Sequence, residues 1–252
     1  MNWTDVLIVA GSLAVVAGGL HLVQRTVPHG LRARHNDVAG FVYAAVGVMY
    51  AVLLGFAVVT VWGGVDQARQ TTFKEADALA GVYWISRDMP APAGPALERD
   101  TLAYAHTVLG TEWPLMAEHR SSPAATAEVY AIRDQVMAFD PSGEKQQVLF
   151  EHALTHAEDL ASERRERLNE VDDEVPALLW IALIAGGVLT VGFTFLFGLP
   201  NTTAHVLMVL ALTALIAVSL VVIKEMNYPF TGVTRVEPTA FQVFLDRLPP
   251  PR

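Results

Sequence analysis

Residues 40–62, GFVYAAVGVMYAVLLGFAVVTVW, run for 23 positions without one charged side chain. A helix rises 1.5 Å per residue, so about 20 apolar residues cross the hydrocarbon core of a bilayer. The stretch therefore predicts a transmembrane helix, and the rest of the chain must be arranged around it. Glycines stand at positions 40, 47, 55 and 63. Read as one small-residue face, they let a second backbone approach closely. Tyr43 and Tyr50 carry hydroxyls into the bilayer, where each needs a partner. Polar groups bracket the span: His35, Asn36 and Asp37 before it, Asp66 and Gln67 after it. Two readings stand, a helix packed in a bundle or a helix lining a path for a solute.

Three more apolar stretches accompany it. Residues 6–23 are interrupted only by Ser12 and His21, and no basic leader precedes them, so a span is expected rather than a cleaved signal peptide. Residues 176–199 and 206–223 form an antiparallel transmembrane hairpin around a turn at 200–205, where the sequon at Asn201 reads as turn chemistry. Mean hydropathy of +0.36 with 52% hydrophobic residues fits a membrane protein that also carries a sizeable polar part.

That polar part is residues 63–175. Its first 112 residues, 63–174, hold 21 acids against 10 bases. Helical periodicity recurs at 68–87, 96–112, 121–139 and 144–171, broken by the proline run at 90–95 and by Asp140-Pro141-Ser142-Gly143. The expected fold class is an all-α membrane protein: four transmembrane helices with an acidic helical soluble domain between the second and third. The domain layout is then 1–62, 63–175, 176–223 and a tail, 224–252. The tail carries Asn227-Tyr228-Pro229-Phe230-Thr231-Gly232 and an amphipathic helix over 238–248. Orientation is split. Arg25, Arg32 and Arg34 crowd the first connection, whereas Arg164, Arg165, Arg167 and Lys224 flank the hairpin on the other side.

Little here points to catalysis. A net charge of −9 argues against a nucleic-acid partner, and the lack of cysteine excludes disulfides and thiolate chemistry. No phosphate-binding loop or serine triad occurs, so neither an enzyme nor a cofactor is expected. His152 and His156 share a helix face at a spacing that can hold a metal, but they lack a third ligand. They are weak candidates in a chain for which no metal is expected. Asn36 or Asp37 reads as a helix cap, and the alternative is a polar pore mouth formed with His35 and Asp66. Ser162-Glu163-Arg164-Arg165-Glu166-Arg167-Leu168 reads as a solvated helix face with a Glu163–Arg167 pair, or as a collector of anions or acidic headgroups.

Several segments together resemble a known family: HNDVAGFVYAAVGVMYAVLLGFAVVTVW, Glu75-Ala76-Asp77-Ala78-Leu79, SERRERL before PALLW, and NYPFTG followed by Val-x-Pro-x-x-Phe. The chain looks like a member of the bacterial bestrophin-like domain family over roughly 35–245. Bestrophins are homopentameric anion channels whose second membrane helix lines the pore with a hydrophobic neck. The resemblance implies a homo-oligomer in a bacterial plasma membrane, in contact with lipid and inorganic anions such as chloride. It implies cytoplasmic termini and a cytoplasmic helical domain. Tyr50, Leu54, Phe56 and Val58 are then the neck candidates. Asn227, Pro229, Phe230 and Gly232 mark the tail motif. The calcium-binding acidic cluster of bestrophins has no match in this tail, which offers only Glu225, Glu237 and Asp246. A membrane-anchored sensor or scaffold, whose helical domain binds a partner without transport, is the alternative function.

Overall fold

The computed structural model describes residues 2–249, and no strand occurs among them. The helices are α1 (Trp3–Thr26), α2 (His29–Ala33), α3 (Asn36–Ser86), α4 (Ala93–Thr107), α5 (Trp113–Met116), α6 (Pro123–Met137), α7 (Glu144–Asn169), α8 (Ala177–Thr194), α9 (Thr202–Glu225) and α10 (Thr239–Asp246). Four of them, α1, α3, α8 and α9, are long and apolar enough to cross a membrane. The chain divides into two compact units, Met1–Trp62 with Glu174–Asn227, and Gly63–Asp173 with Tyr228–Arg252.

In the first unit, α1 packs along α9. Leu20, Tyr50, Val191, Val209 and Ile216 form the core, one or more from each long helix. Gly19 leaves room for the Phe195 ring, 3.2 Å from where a Cβ would stand. Buried Asp5 holds the Lys224 ammonium at 2.8 Å, tying the first turn of α1 to the last turn of α9. Trp3 and Trp62 are exposed, as interfacial tryptophans are at a membrane surface.

The hairpin turn differs from the sequence expectation. Helix α8 stops at Thr194, and α9 already begins at Thr202. The reason is a cap: the Asn201 side chain accepts from the Ala204 N–H at 3.0 Å, so residues expected in the turn enter the helix. The end of α8 closes in tight turns, the Gly192, Phe193 and Thr194 carbonyls accepting from the Phe195, Leu196 and Phe197 N–H groups, and the first connection holds the loop beyond. Arg32 donates to the Phe197 carbonyl at 3.1 Å, and the Asn36 side chain both donates to and accepts from the Gly198 backbone at 3.0 Å.

The second unit is a helical bundle built on the latter part of α3, with α4, α6 and α7 packed together. The helix expected over 96–112 does not stop there. A π-helical turn over Val108–Glu112 passes directly into α5, with Pro114 in its first turn. The tail closes the bundle. Phe241 and Phe244 are buried on α10 and meet Tyr104 and Tyr83 edge-to-face, while Phe230 meets Trp113 in the same way at 5.6 Å.

Candidate functional site

Helix α3 presents two different faces. Tyr50 is 7% exposed and sits on the paired glycines of α8; a Cβ at Gly186 would fall 2.6 Å from its ring. Leu54 packs against the same core, and Val58 is half-buried. The opposite face is open. Ala45, Met49, Val52, Phe56, Val59 and Gly63 are all exposed, and their spacing is four, three, four, three, four. Such a 3.5-residue rhythm keeps apolar positions on one seam when helices of separate chains lie side by side. Phe56 is 70% exposed and Met49 73%. Further along the helix, Asp66, Gln70, Phe73 and Asp77 are exposed at the same alternating interval, with Gln70 donating to Asp66 at 2.8 Å.

The four neck candidates are therefore not brought together: Phe56 lies on the open seam, and Tyr50, Leu54 and Val58 on or near the packed face. The glycines do not make one face either. An eight-residue step overshoots two helical turns by about 80°, so Gly55 and Gly63 rotate away from Gly40. Added Cβ atoms at Gly47, Gly55 and Gly63 would meet nothing within 4 Å.

The mouth candidates serve different ends. His35 and Asp37 are exposed, and Asp66 pairs with Gln70. Asn36 does not cap its own helix through this contact; its amide is committed to Gly198. The tail-motif residues make backbone contacts. Asn227 accepts from the Val175 N–H at 2.9 Å, and the Pro229 carbonyl accepts from the Val236 N–H at 2.8 Å. Gly232, at φ 73°, supplies the left-handed residue of that loop. The His156 ring lies on Gly81, where a Cβ would come within 2.6 Å. Among the described residues no three His, Asp or Glu side chains gather as a metal site.

The basic run on α7 is not a solvated face. Arg164 and Arg167 are buried, and only Arg165 of the three arginines points outward. Arg167 binds Glu75 through Nε at 2.5 Å and Nη2 at 2.9 Å, and Glu112 at 2.8 Å. Arg164 binds the other oxygen of Glu112 at 2.6 Å and the Thr126 hydroxyl at 3.0 Å. The Tyr104 hydroxyl donates to Glu75. Burial, then the Glu75 charge, pushes the Tyr104 phenol well above its usual range. Burial also opposes charge on Glu112 and Arg167, but their mutual attraction and the Glu75 and Arg164 partners outweigh it. The carboxyl is held below, and the guanidinium well above, the ordinary values. Two arginines and two glutamates thus balance inside the bundle, as buried charges must. A sequence signal existed: Ala153, Ala157, Leu160, Arg164 and Arg167 follow one another at the same four-three interval, which puts both arginines on the buried face.

A family model for the bestrophin-like domain matches residues 10–241. The fold is similar to crystal structures of a bacterial bestrophin homologue from Klebsiella pneumoniae. One has a TM-score of 0.71 at 13% identity, covering 94% of this chain and 98% of that one. Another has a TM-score of 0.70 at 14% identity, covering 94% and 97%. A crystal structure described as that of a membrane protein gives 0.71 at 13% identity, covering 94% and 97%. No curated protein matches the chain. The match of the family model across the four spans and the helical bundle, together with this likeness of fold, places the chain in the bestrophin-like domain family.

Proposed function

We propose that the protein is a homo-oligomeric anion channel of the membrane, with α3 of each copy lining a shared path. The observation that carries this reading is the open apolar seam of α3, Ala45 to Gly63, on a helix whose other face is already packed. Residues 63–175 form the helical soluble domain between the second and third spans in this account, and it lies with both termini in the cytoplasm of a bacterial cell. The neck is centred on Phe56, with Met49, Val52 and Val59 around it. Tyr50, Leu54 and Val58 brace it from behind. Asp66 and the exposed His35 and Asp37 stand near the ends. Selection at such a neck works by dehydration at apolar rings, which a large, weakly hydrated anion survives best. A pentamer is the assembly that the family resemblance implies.

Anion flux into liposomes containing the purified, assembled protein tests the reading. Flux above that of empty liposomes supports it; none from an intact oligomer overturns it. The rival role, a partner-binding scaffold without transport, draws on the acidic surface of the helical unit and is the one left standing by that negative result.

A further inference from the structure

Glu170 closes α7 and is 7% exposed. One carboxyl oxygen accepts from the Thr71 hydroxyl of α3 at 2.9 Å. The other is buried with no hydrogen-bond partner among the described residues. Gln67, a turn earlier on α3, reaches the same hydroxyl at 3.4 Å. Among the described residues no cation is paired with the carboxyl. Glu166 on α7 and Asp173 beyond it oppose its ionisation, and α3 contributes a neutral hydroxyl. Arg167 favours ionisation but is committed to Glu75 and Glu112.

Two effects compete at this carboxyl. The Thr71 hydrogen bond is stronger to an ionised acceptor. Burial of a charge with one oxygen unsatisfied is costly, and two nearby acids add to the cost. Burial wins.

We propose that Glu170 is a proton-binding site that latches the end of α7 to α3: protonated, it seals against Thr71, and ionised, it releases. One turn along α3 from Thr71, Glu75 is clamped by Arg167, which is itself one turn before Glu170 on α7. The clamped pair is the fixed end of the contact, and Glu170 is the end that can open. Burial, against the Thr71 hydrogen bond, raises the Glu170 carboxyl to about 7. The latch therefore changes state near neutral pH. This inference concerns the helical unit alone and does not depend on conduction.

Hydrogen exchange of the full chain in detergent, followed in peptides covering 66–76 and 165–173, tests it. After correction for intrinsic exchange, linkage between a closed value of about 7 and an ordinary carboxyl of about 4.5 predicts an opening constant that rises about tenfold from pH 6 to pH 8. Glu170→Gln abolishes the rise and keeps the peptides protected at pH 8. Thr71→Val lowers protection throughout but retains the inflection. A wild-type profile flat across this range, or the same rise in Glu170→Gln, overturns the proposal. Melting of wild type and Glu170→Gln against pH is the second measurement. The advantage of wild type over the variant must fall from pH 5 to pH 8; a constant difference also overturns the latch.

Discussion

Replacing Arg167 with methionine is the most informative single change to the helical unit. The side chain is wholly buried and holds Glu75 twice and Glu112 once. Its loss leaves one surplus negative charge in the core. Glu112 keeps Arg164, so Glu75 is the stranded group. Removing one partner of a buried pair costs ~3–5 kcal/mol. The expected loss for Arg167→Met is therefore about 3–5 kcal/mol. Hydrogen exchange in peptides of α4 and α7 gives the local opening free energy. Adding Glu75→Gln removes the stranded charge and leaves an acceptor for Tyr104. The double variant must recover at least half of the loss. A loss under about 1 kcal/mol, or simple additivity of the two changes, would refute the reasoning.

Three further outcomes follow from the same structure. Gly186→Ala sets a methyl 2.6 Å from the Tyr50 ring; overpacking there is expected to cost about 1–3 kcal/mol, read as a lower melting temperature in detergent, whereas Gly192→Ala meets nothing and leaves it unchanged. Glu112, held below the ordinary 4.5 by its arginines against the cost of burial, contributes stability above that pH which is lost as pH falls through its lowered value. Acid unfolding of the bundle, followed by circular dichroism, is accordingly shallower in Glu112→Gln. Asn36→Ala removes both hydrogen bonds to Gly198, with an expected cost of about 1–3 kcal/mol at ~1 kcal/mol per bond, measured by thermal unfolding of the full chain.

The four long apolar helices were legible because a charge-free run of this length has few other homes. The continuation of α3 beyond Trp62 was legible too, since Phe73, Ala76 and Ala80 keep helical spacing. The buried cluster was not. Arginines and glutamates crowded into one heptad look like a solvated face, and only their register with Ala153, Ala157 and Leu160 betrays burial. Of the four neck candidates only Phe56 lies on the open seam, and the other seam positions were not singled out from the sequence. Glycine intervals of seven and eight were taken as one face, whereas the four-three rhythm of Ala45, Met49, Val52, Phe56, Val59 and Gly63 marks the open seam. Asn36 was legible as a polar residue at a helix start, but its partner Gly198 is distant in sequence and local rules cannot supply it.

The chain has no native cysteine, so single cysteines can be placed on either face of α3 without background. Oxidative cross-linking of Phe56→Cys and Leu54→Cys proteins in membranes tests the central claim most directly. If α3 of each copy faces a common axis through its open seam, Phe56→Cys gives covalent dimers and its flux is blocked by an anionic thiol reagent, while Leu54→Cys does neither. Cross-linking and block at Leu54→Cys, with none at Phe56→Cys, would contradict the account.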